Sequence, residues 1–337
     1  MLGVFSSTLL VTFFVRRAAF ALGIVDVPDG GRKKHAVPVA LLGGVALVLG
    51  IIPMVLTLLY TTTIFTSGAL KASSILAALL GGVILVVGGV IDDKKNLPPW
   101  IAIASPLFAC ALAVCFGIGF EKLTNPLGGF FVIPQVAGVM MTFIWLLCMT
   151  YTTKLLDGVD GLSSSVSLVA ACVIVALALS ERFYQPDVAM LASLFAAGVG
   201  GFLLWNMPPA KIYLGEGGST FLGFMLGILA VIGGSKTATL LFVVGLPMLD
   251  VAFVACRRFL RSNADGFWKR LRACTVADRT HLHLRLMDRG WGAGRVVALY
   301  IGVGALFGLA SLLFSSWEKI LAFVLLSCLS LWFMKNI

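Results

Sequence analysis

Apolar runs closed by short polar connections set the pattern of this chain from end to end. A helix needs about 20 apolar residues to cross the hydrocarbon core of a bilayer, and eleven runs approach or reach that length. They lie at about 4–22, 38–60, 73–91, 101–118, 135–151, 165–180, 189–206, 218–233, 237–255, 295–315 and 319–335. Two are near the lower limit, so the pattern predicts an all-α polytopic membrane protein of ten or eleven transmembrane helices. No connection is large enough to fold as a soluble domain, and residues 1–337 read as a single integral-membrane domain. The longest polar connection, 256–295, is a basic loop within it. Because further spans follow the first run, that run reads as a span and not as a cleaved signal.

Composition agrees. The 337 residues are 60% hydrophobic and 12% charged, about half the charge of a soluble domain; mean hydropathy is +1.04. The seven cysteines are scattered without a CxxC or a ligand cluster. They read as small apolar packing residues, not as a disulfide framework.

Charge then orients the spans. With loops assigned alternately from an external N-terminus, 20 of the 25 lysines and arginines fall on one side and 5 on the other. The richer side is expected to be cytoplasmic, which also makes the C-terminus cytoplasmic. Asp92, Asp93, Asp157, Asp160, Glu216, Asp265, Asp278 and Asp288 fall in connections on that side, as do His35, His281 and His283. Asp250, in "PMLD", falls inside a span. Burial alone gives no reason for this clustering. A single cytoplasmic-face site built from several loops does.

Four stretches carry the chemistry. "VIDDKKN" ends a span in paired carboxylates, Asp92 and Asp93, which suit a divalent cation or a base beside a phosphate, although a solvated helix end reads the same way in isolation. In "YTTKLLDGVDGLSSS" a helical turn would put Asp157 and Asp160 on one face, and the glycine after each acid lets a ligand approach the backbone. "PPAKIYLGEGGSTFLGF" predicts a helix opening at about Gly218, capped by Ser219 or Thr220, with free amides for an anion. Glu216 at its mouth could ligate a metal or pair with Lys211 or Lys154. "ADRTHLHLRLMDRGW" sets His281 and His283 beside Arg279, Arg285 and Arg289. With no thiol and no third nearby histidine it suits phosphate better than zinc, or else a lipid-facing basic patch. "GRKKHAVPVALLGG" is a second patch of that kind. Together these loops suit a reaction between a soluble phosphorylated molecule and a phosphate whose tail lies in the bilayer.

Taken in order, "RKKHAVPVALLGG", "VIDDKKNLP", "DGVDGL", "NMPPAKIYLGEGGSTFLGF", "PMLD" and "DRTHLHLRLMDRGW" resemble the motifs of the polyprenyl-phosphate N-acetylhexosamine-1-phosphate transferases. The likeness is strongest to the bacterial branch that begins O-antigen, enterobacterial common antigen or wall teichoic acid. The phospho-N-acetylmuramoyl-pentapeptide transferase is a more distant relative. The resemblance implies ten or eleven transmembrane helices, a cytoplasmic active site and dependence on Mg²⁺, with Mn²⁺ as a substitute. It implies a UDP-sugar and a polyprenyl phosphate as substrates, UMP as product, N-acetylglucosamine as the default sugar, membrane lipid as surroundings, and no nucleic acid. A homodimer is compatible with it.

The resemblance also implies roles. Asp92 and Asp93 match the double aspartate tied to activation of the lipid phosphate and to the metal; Glu216 stands at a metal-binding position. Lys154, Asp157, Asp160, Gly215, Ser219 and Arg279 fall with the nucleotide and sugar. His281 and His283 match a histidine motif on the diphosphate, and Lys33, Lys34 and His35 match a basic loop for the lipid phosphate. Three departures stand out. Tyr151 and Lys154 replace asparagines, Glu216 replaces aspartate, and Leu284 replaces the last histidine. Lys154 and Glu216 are expected to form a compensating pair. The competing readings are an inactive or repurposed homologue, a purely structural scaffold, and a multispan transporter, which would require Asp250 to face a through-going cavity.

Overall fold

The structure is a computed structural model; it describes all residues except 29–36, 69, 126–128, 182, 235–236, 263–265, 267–278, 315 and 337. Where no water is present every backbone amide must be satisfied within its own segment, so apolar runs fold as helices. The first half holds α1 (Leu2–Ala21), α2 (Gly43–Thr61), α3 (Ala72–Lys95), a single turn α4 (Pro99–Ala102), α5 (Ala104–Cys115) and α6 (Gln135–Leu156). Then come α7 (Leu162–Leu179), α8 (Pro186–Asn206), α9 (Gly215–Ile232), α10 (Thr237–Val243) and α11 (Gly245–Arg261). The chain closes with α12 (Leu282–Asp288), α13 (Ala293–Leu313) and α14 (Ser316–Asn336).

Among the described residues nine helices are long and apolar enough to cross a membrane. The expected span 237–255 is instead two helices, α10 and α11, meeting at 79°, and α11 runs on to Arg261. The expected span 101–118 is the pair α4 and α5. Pro106 lacks the amide that would bond the Ala102 carbonyl, and the helix is interrupted one residue on, at Ile103. The basic 256–295 connection is partly helical, since it contains the end of α11 and all of α12.

α9 is the axis of the bundle. Its apolar window is 89% buried, against 22% for α14, and it packs on α3, α6, α2 and α7. Two antiparallel ribbons lie at helix ends: β1 (Val25–Asp26) with β2 (Val39–Ala40), and β3 (Lys122–Thr124) with β4 (Phe130–Val132). Ala40 also bridges to Ile212, joining the first ribbon to the segment before α9. All six described cysteines are free, in keeping with the expectation of no disulfide framework; Cys110 packs in the interior and the other five lie on the bundle surface.

Candidate active site

The site begins where α3 and α9 touch. A Cβ on Gly89 would lie 2.0 Å from the Gly217 amide nitrogen, and one on Gly217 would lie 2.8 Å from Val86 Cα. The glycines of "VVGGVIDD" and "GEGGST" therefore set the backbone separation of the two helices. Gly215 adopts φ +70° with Leu41 O and Asp93 Oδ2 crowding its α-carbon, a conformation and a space that suit glycine. At this separation both oxygens of Asp93 accept the Glu216 amide, at 3.2 Å each. A carboxylate from α3 thus caps the N-terminus of α9.

That cap corrects the expectation for this helix. α9 starts at Gly215 and not Gly218, and it has no side-chain cap of its own. Ser219 Oγ donates back to Gly215 O and Thr220 Oγ1 to Glu216 O. Of the amides at this helix start, that of Glu216 is held by Asp93.

α6 supplies the opposite wall. Its last turn carries Lys154, whose ammonium pairs with Glu216 Oε2 at 2.5 Å and lies 5.7 Å from the centre of the Tyr151 ring. The expected pair of Lys154 with Glu216 is therefore present. Beyond α6 the chain turns at 157–161 instead of continuing as a helix, and Gly161 opens α7. Asp157 and Asp160 are brought together by this turn, not by a shared helical face. Asp160 Oδ2 accepts the Ala210 amide at 2.9 Å, and Asn206 donates to Ile212 O and accepts from Ser164. These bonds tie the turn to the segment leading into α9.

These elements enclose one cavity of about 650 Å³. Asp92, Asp93, Lys154, Asp157, Asp160, Gly215, Glu216, Ser219 and Arg279 all line it. Asp26, Asn96, Asn206 and Tyr213 line it as well, and the sequence reading did not single them out. Asp26 carried the same signal as Asp92, an acid just past an apolar run. Asn206 and Tyr213 lie beside or inside a glycine-rich motif whose reading rests on its helix start and on Glu216. A second cavity, of about 310 Å³ and including Lys71 and Lys122, lies at the other end of α3, some 30 Å away at 1.5 Å per helical residue.

The histidines stand behind this cavity. His281 Nδ1 is 3.0 Å from Asp250 Oδ2, and the Leu282 amide donates to Asp250 Oδ1 at 2.9 Å. Asp250 is buried, so it anchors the start of α12. His283 is also buried and stacks on His281 with ring centres 5.8 Å apart. It packs against Gly158, where a Cβ would meet Nε2 at 2.8 Å. Neither histidine lines the cavity, whereas Leu284 does. Arg279 lines it too, with its guanidinium held by Asp288 at 2.7 and 3.1 Å. Lys33, Lys34 and His35 lie outside the described residues.

The stretch that carries these acids has relatives. The probable undecaprenyl-phosphate N-acetylglucosaminyl 1-phosphate transferase of Bacillus subtilis is 28% identical over 318 residues, covering 92% of this chain and 82% of the relative. A decaprenyl-phosphate N-acetylglucosaminephosphotransferase of Mycobacterium tuberculosis is 28% identical, covering 90% of this chain and 80% of the relative. A phospho-N-acetylmuramoyl-pentapeptide-transferase of Listeria monocytogenes is 30% identical over 200 residues, 59% of this chain and 56% of the relative. The profile of glycosyl transferase family 4 matches residues 75–234, which include Asp92, Asp93, Lys154, Asp157, Asp160 and Glu216. Over that stretch the chain is similar to glycosyl transferase family 4. With its apolar helices and bacterial relatives, the chain is a multi-pass protein of the bacterial membrane.

Electrostatics sharpen the picture of this cavity. Burial in the cavity wall, reinforced by Glu216, Asp93 and Asp160, holds the Asp157 carboxyl well above its ordinary range. Burial, then the charges of Asp160, Asp26 and Asp157, push the Tyr213 hydroxyl up. Burial depresses His283 to about 4, with the charges of His281 and Arg279 adding to the effect and Asp250 opposing it. Among the described residues no three His, Cys, Asp or Glu side chains already converge as metal ligands. Magnesium does not require that. It retains waters and takes one or two carboxylates plus substrate phosphates. The hard oxygen donors that face this cavity fit such an ion.

Proposed function

We propose that this chain transfers N-acetylglucosamine 1-phosphate from UDP-N-acetylglucosamine to a polyprenyl phosphate, the lipid-linked step that begins a cell-envelope glycan. One observation carries the reading: carboxylates from α3, the 157–161 turn and α9 meet beside Lys154 in a single cavity at one end of an apolar bundle. A water-soluble nucleotide and a phosphate anchored in lipid can meet at such a place. The relatives named for this transfer align with nine-tenths of the chain, which supports the reading across the whole bundle. The cavity faces the cytoplasm on this reading, since Lys94, Lys95 and Lys154 lie at its end of the bundle and the cationic excess lies on that side.

The chemistry is a phosphoryl transfer. An oxygen of the lipid phosphate attacks the β-phosphorus of the UDP-sugar. The bond from that phosphorus to the oxygen bridging the α-phosphorus breaks, and UMP leaves with both electrons. Catalysis of this kind is mainly positioning and neutralisation of charge. Asp92 would receive a proton from the lipid phosphate. Asp157 and Asp160 would orient the uridine or sugar hydroxyls, and Arg279 would meet diphosphate oxygens. His283, seated on Gly158, would support the turn that carries those two aspartates, with His281 and Asp250 fixing it from behind. Lys33, Lys34 and His35 would attract the lipid phosphate. Magnesium, or manganese in its place, would be held by Glu216 and Asp93; when bound, such an ion neutralises the diphosphate.

Transport is the weaker reading. Asp250 faces neither cavity and is engaged by His281 and Leu282. The test is direct: incubate purified protein with Mg²⁺, polyprenyl phosphate and a panel of UDP-sugars, and follow UMP. Release that requires both the lipid and UDP-N-acetylglucosamine is expected. Absence of UMP with every donor, under conditions where a B. subtilis-type relative works, overturns the proposal and favours a repurposed homologue.

A further inference from the structure

Lys154 and Glu216 form an ion pair inside a cavity that is otherwise strongly acidic. Asp26, Asp92, Asp93, Asp157, Asp160 and Glu216 face the same space. Of the basic residues there, Arg279 is held at the edge by Asp288. Lys154 alone pairs with a cavity carboxylate among the described residues. Its side chain is 24% exposed and that of Glu216 is 37% exposed; both residues line the cavity, while the paired oxygen, Glu216 Oε2, is itself covered. Lysine is suited to leaving such a partner. It is a compact charge on a flexible four-carbon stem with no fixed fork geometry. The Tyr151 ring, 5.7 Å from the ammonium, gives that cation a second resting place on its own helix.

We propose that Lys154 is a resident cation of this cavity, the one paired with Glu216, and that a divalent ion gains Glu216 by displacing it. Once displaced, the ammonium remains tethered beside the same space and becomes a counter-charge for a phosphate oxygen. Divalent ion and phosphate anion then help each other bind: the ion frees the lysine, and the freed lysine receives the anion. Such coupling is reciprocal by linkage. The inference deepens the proposed transfer reaction by assigning one of its counter-charges to the chain itself, yet its test does not depend on turnover.

The test is Mn²⁺ binding to the full chain in detergent, followed by the spin resonance of free Mn²⁺. Lys154→Met is expected to bind Mn²⁺ roughly tenfold more tightly than the natural protein, as befits release of one partly buried competitor. In a Glu216→Gln background the same substitution should change affinity less than about twofold. Pyrophosphate should tighten Mn²⁺ binding to the natural protein and do so less in Lys154→Met. Lys154→Gln serves as a second variant should the methionine form misfold. Unchanged or weaker Mn²⁺ binding in both lysine variants overturns the proposal. So does an equal gain with and without Glu216, which marks a general charge effect, and so does a failure of every form to bind Mn²⁺. A protein that shows the expected pattern but releases no UMP sinks the transfer reaction and leaves this inference standing.

Discussion

Asp93 accepts the backbone amide of Glu216 with both of its oxygens, across 123 residues of sequence. The residue read as a catalytic carboxylate is thus also the cap of the central helix. Loss of a cap costs about 1 kcal/mol. Asp93→Ala should therefore lower the melting temperature in detergent, while Asp93→Asn, which keeps an acceptor, should lose less than half as much. UMP release should fall by roughly a hundredfold or more in both, because each removes the charge. Equal stability loss in the two variants would show that the cap contributes nothing.

The α3–α9 contact predicts a sharp contrast between glycines. Gly89→Ala puts a methyl 2.0 Å from the Gly217 nitrogen, and separating the helices costs about 1–3 kcal/mol while drawing Asp93 away from Glu216. Gly302→Ala on α13 meets nothing within 4 Å and should leave both melting and turnover unchanged. Comparable behaviour of the two variants would contradict the close approach.

Asp250 should behave as an anchor. Asp250→Ala leaves the Leu282 amide and one ring nitrogen of His281 without their buried acceptor, a loss of about 1–3 kcal/mol. Asp250→Asn retains one acceptor and should lose less. Limited proteolysis near α12 offers the check: faster cleavage is expected in the alanine variant, and an unchanged rate argues against anchoring.

His283 sets a pH dependence. Its folded value, about 4, lies below the ordinary 6.5, so the unfolded chain binds the proton more tightly. The associated stability is fully present above pH 6.5 and is lost as pH falls toward 4, by roughly 3 kcal/mol for the whole shift. Melting temperature against pH should slope downward below 6.5 in the natural protein, and His283→Leu should flatten that slope. A parallel slope in the variant would place the sensitivity elsewhere.

Much of this architecture was legible because lipid imposes one rule on every segment. Long apolar runs had to be helices, and nine fulfil that expectation among the described residues. The bend between α10 and α11 was less legible. It falls at Val244, where Pro247 lacks the amide that would bond the Val243 carbonyl, although the apolar run is continuous through it. The acids of "VIDDKKN", "DGVDGL" and "LGEGGST" could be gathered in advance because they interrupt apolar sequence on one side. The partner of each could not. Asp93 to an amide, Asp250 to His281 and His283 to Gly158 are contacts between distant segments, and no local spacing encodes them. The pairing of Lys154 with Glu216 was anticipated because two substituted charges of opposite sign suggested one another.

The cap on α9 ties the reactive acids to the backbone that carries them. In a chain whose third and ninth helices have not yet met, the start of α9 lacks the carboxylate that closes it and the wall shared by the two helices does not exist. Assembly of the bundle and birth of its chemistry are therefore the same event, and selection on either acts at once on the other.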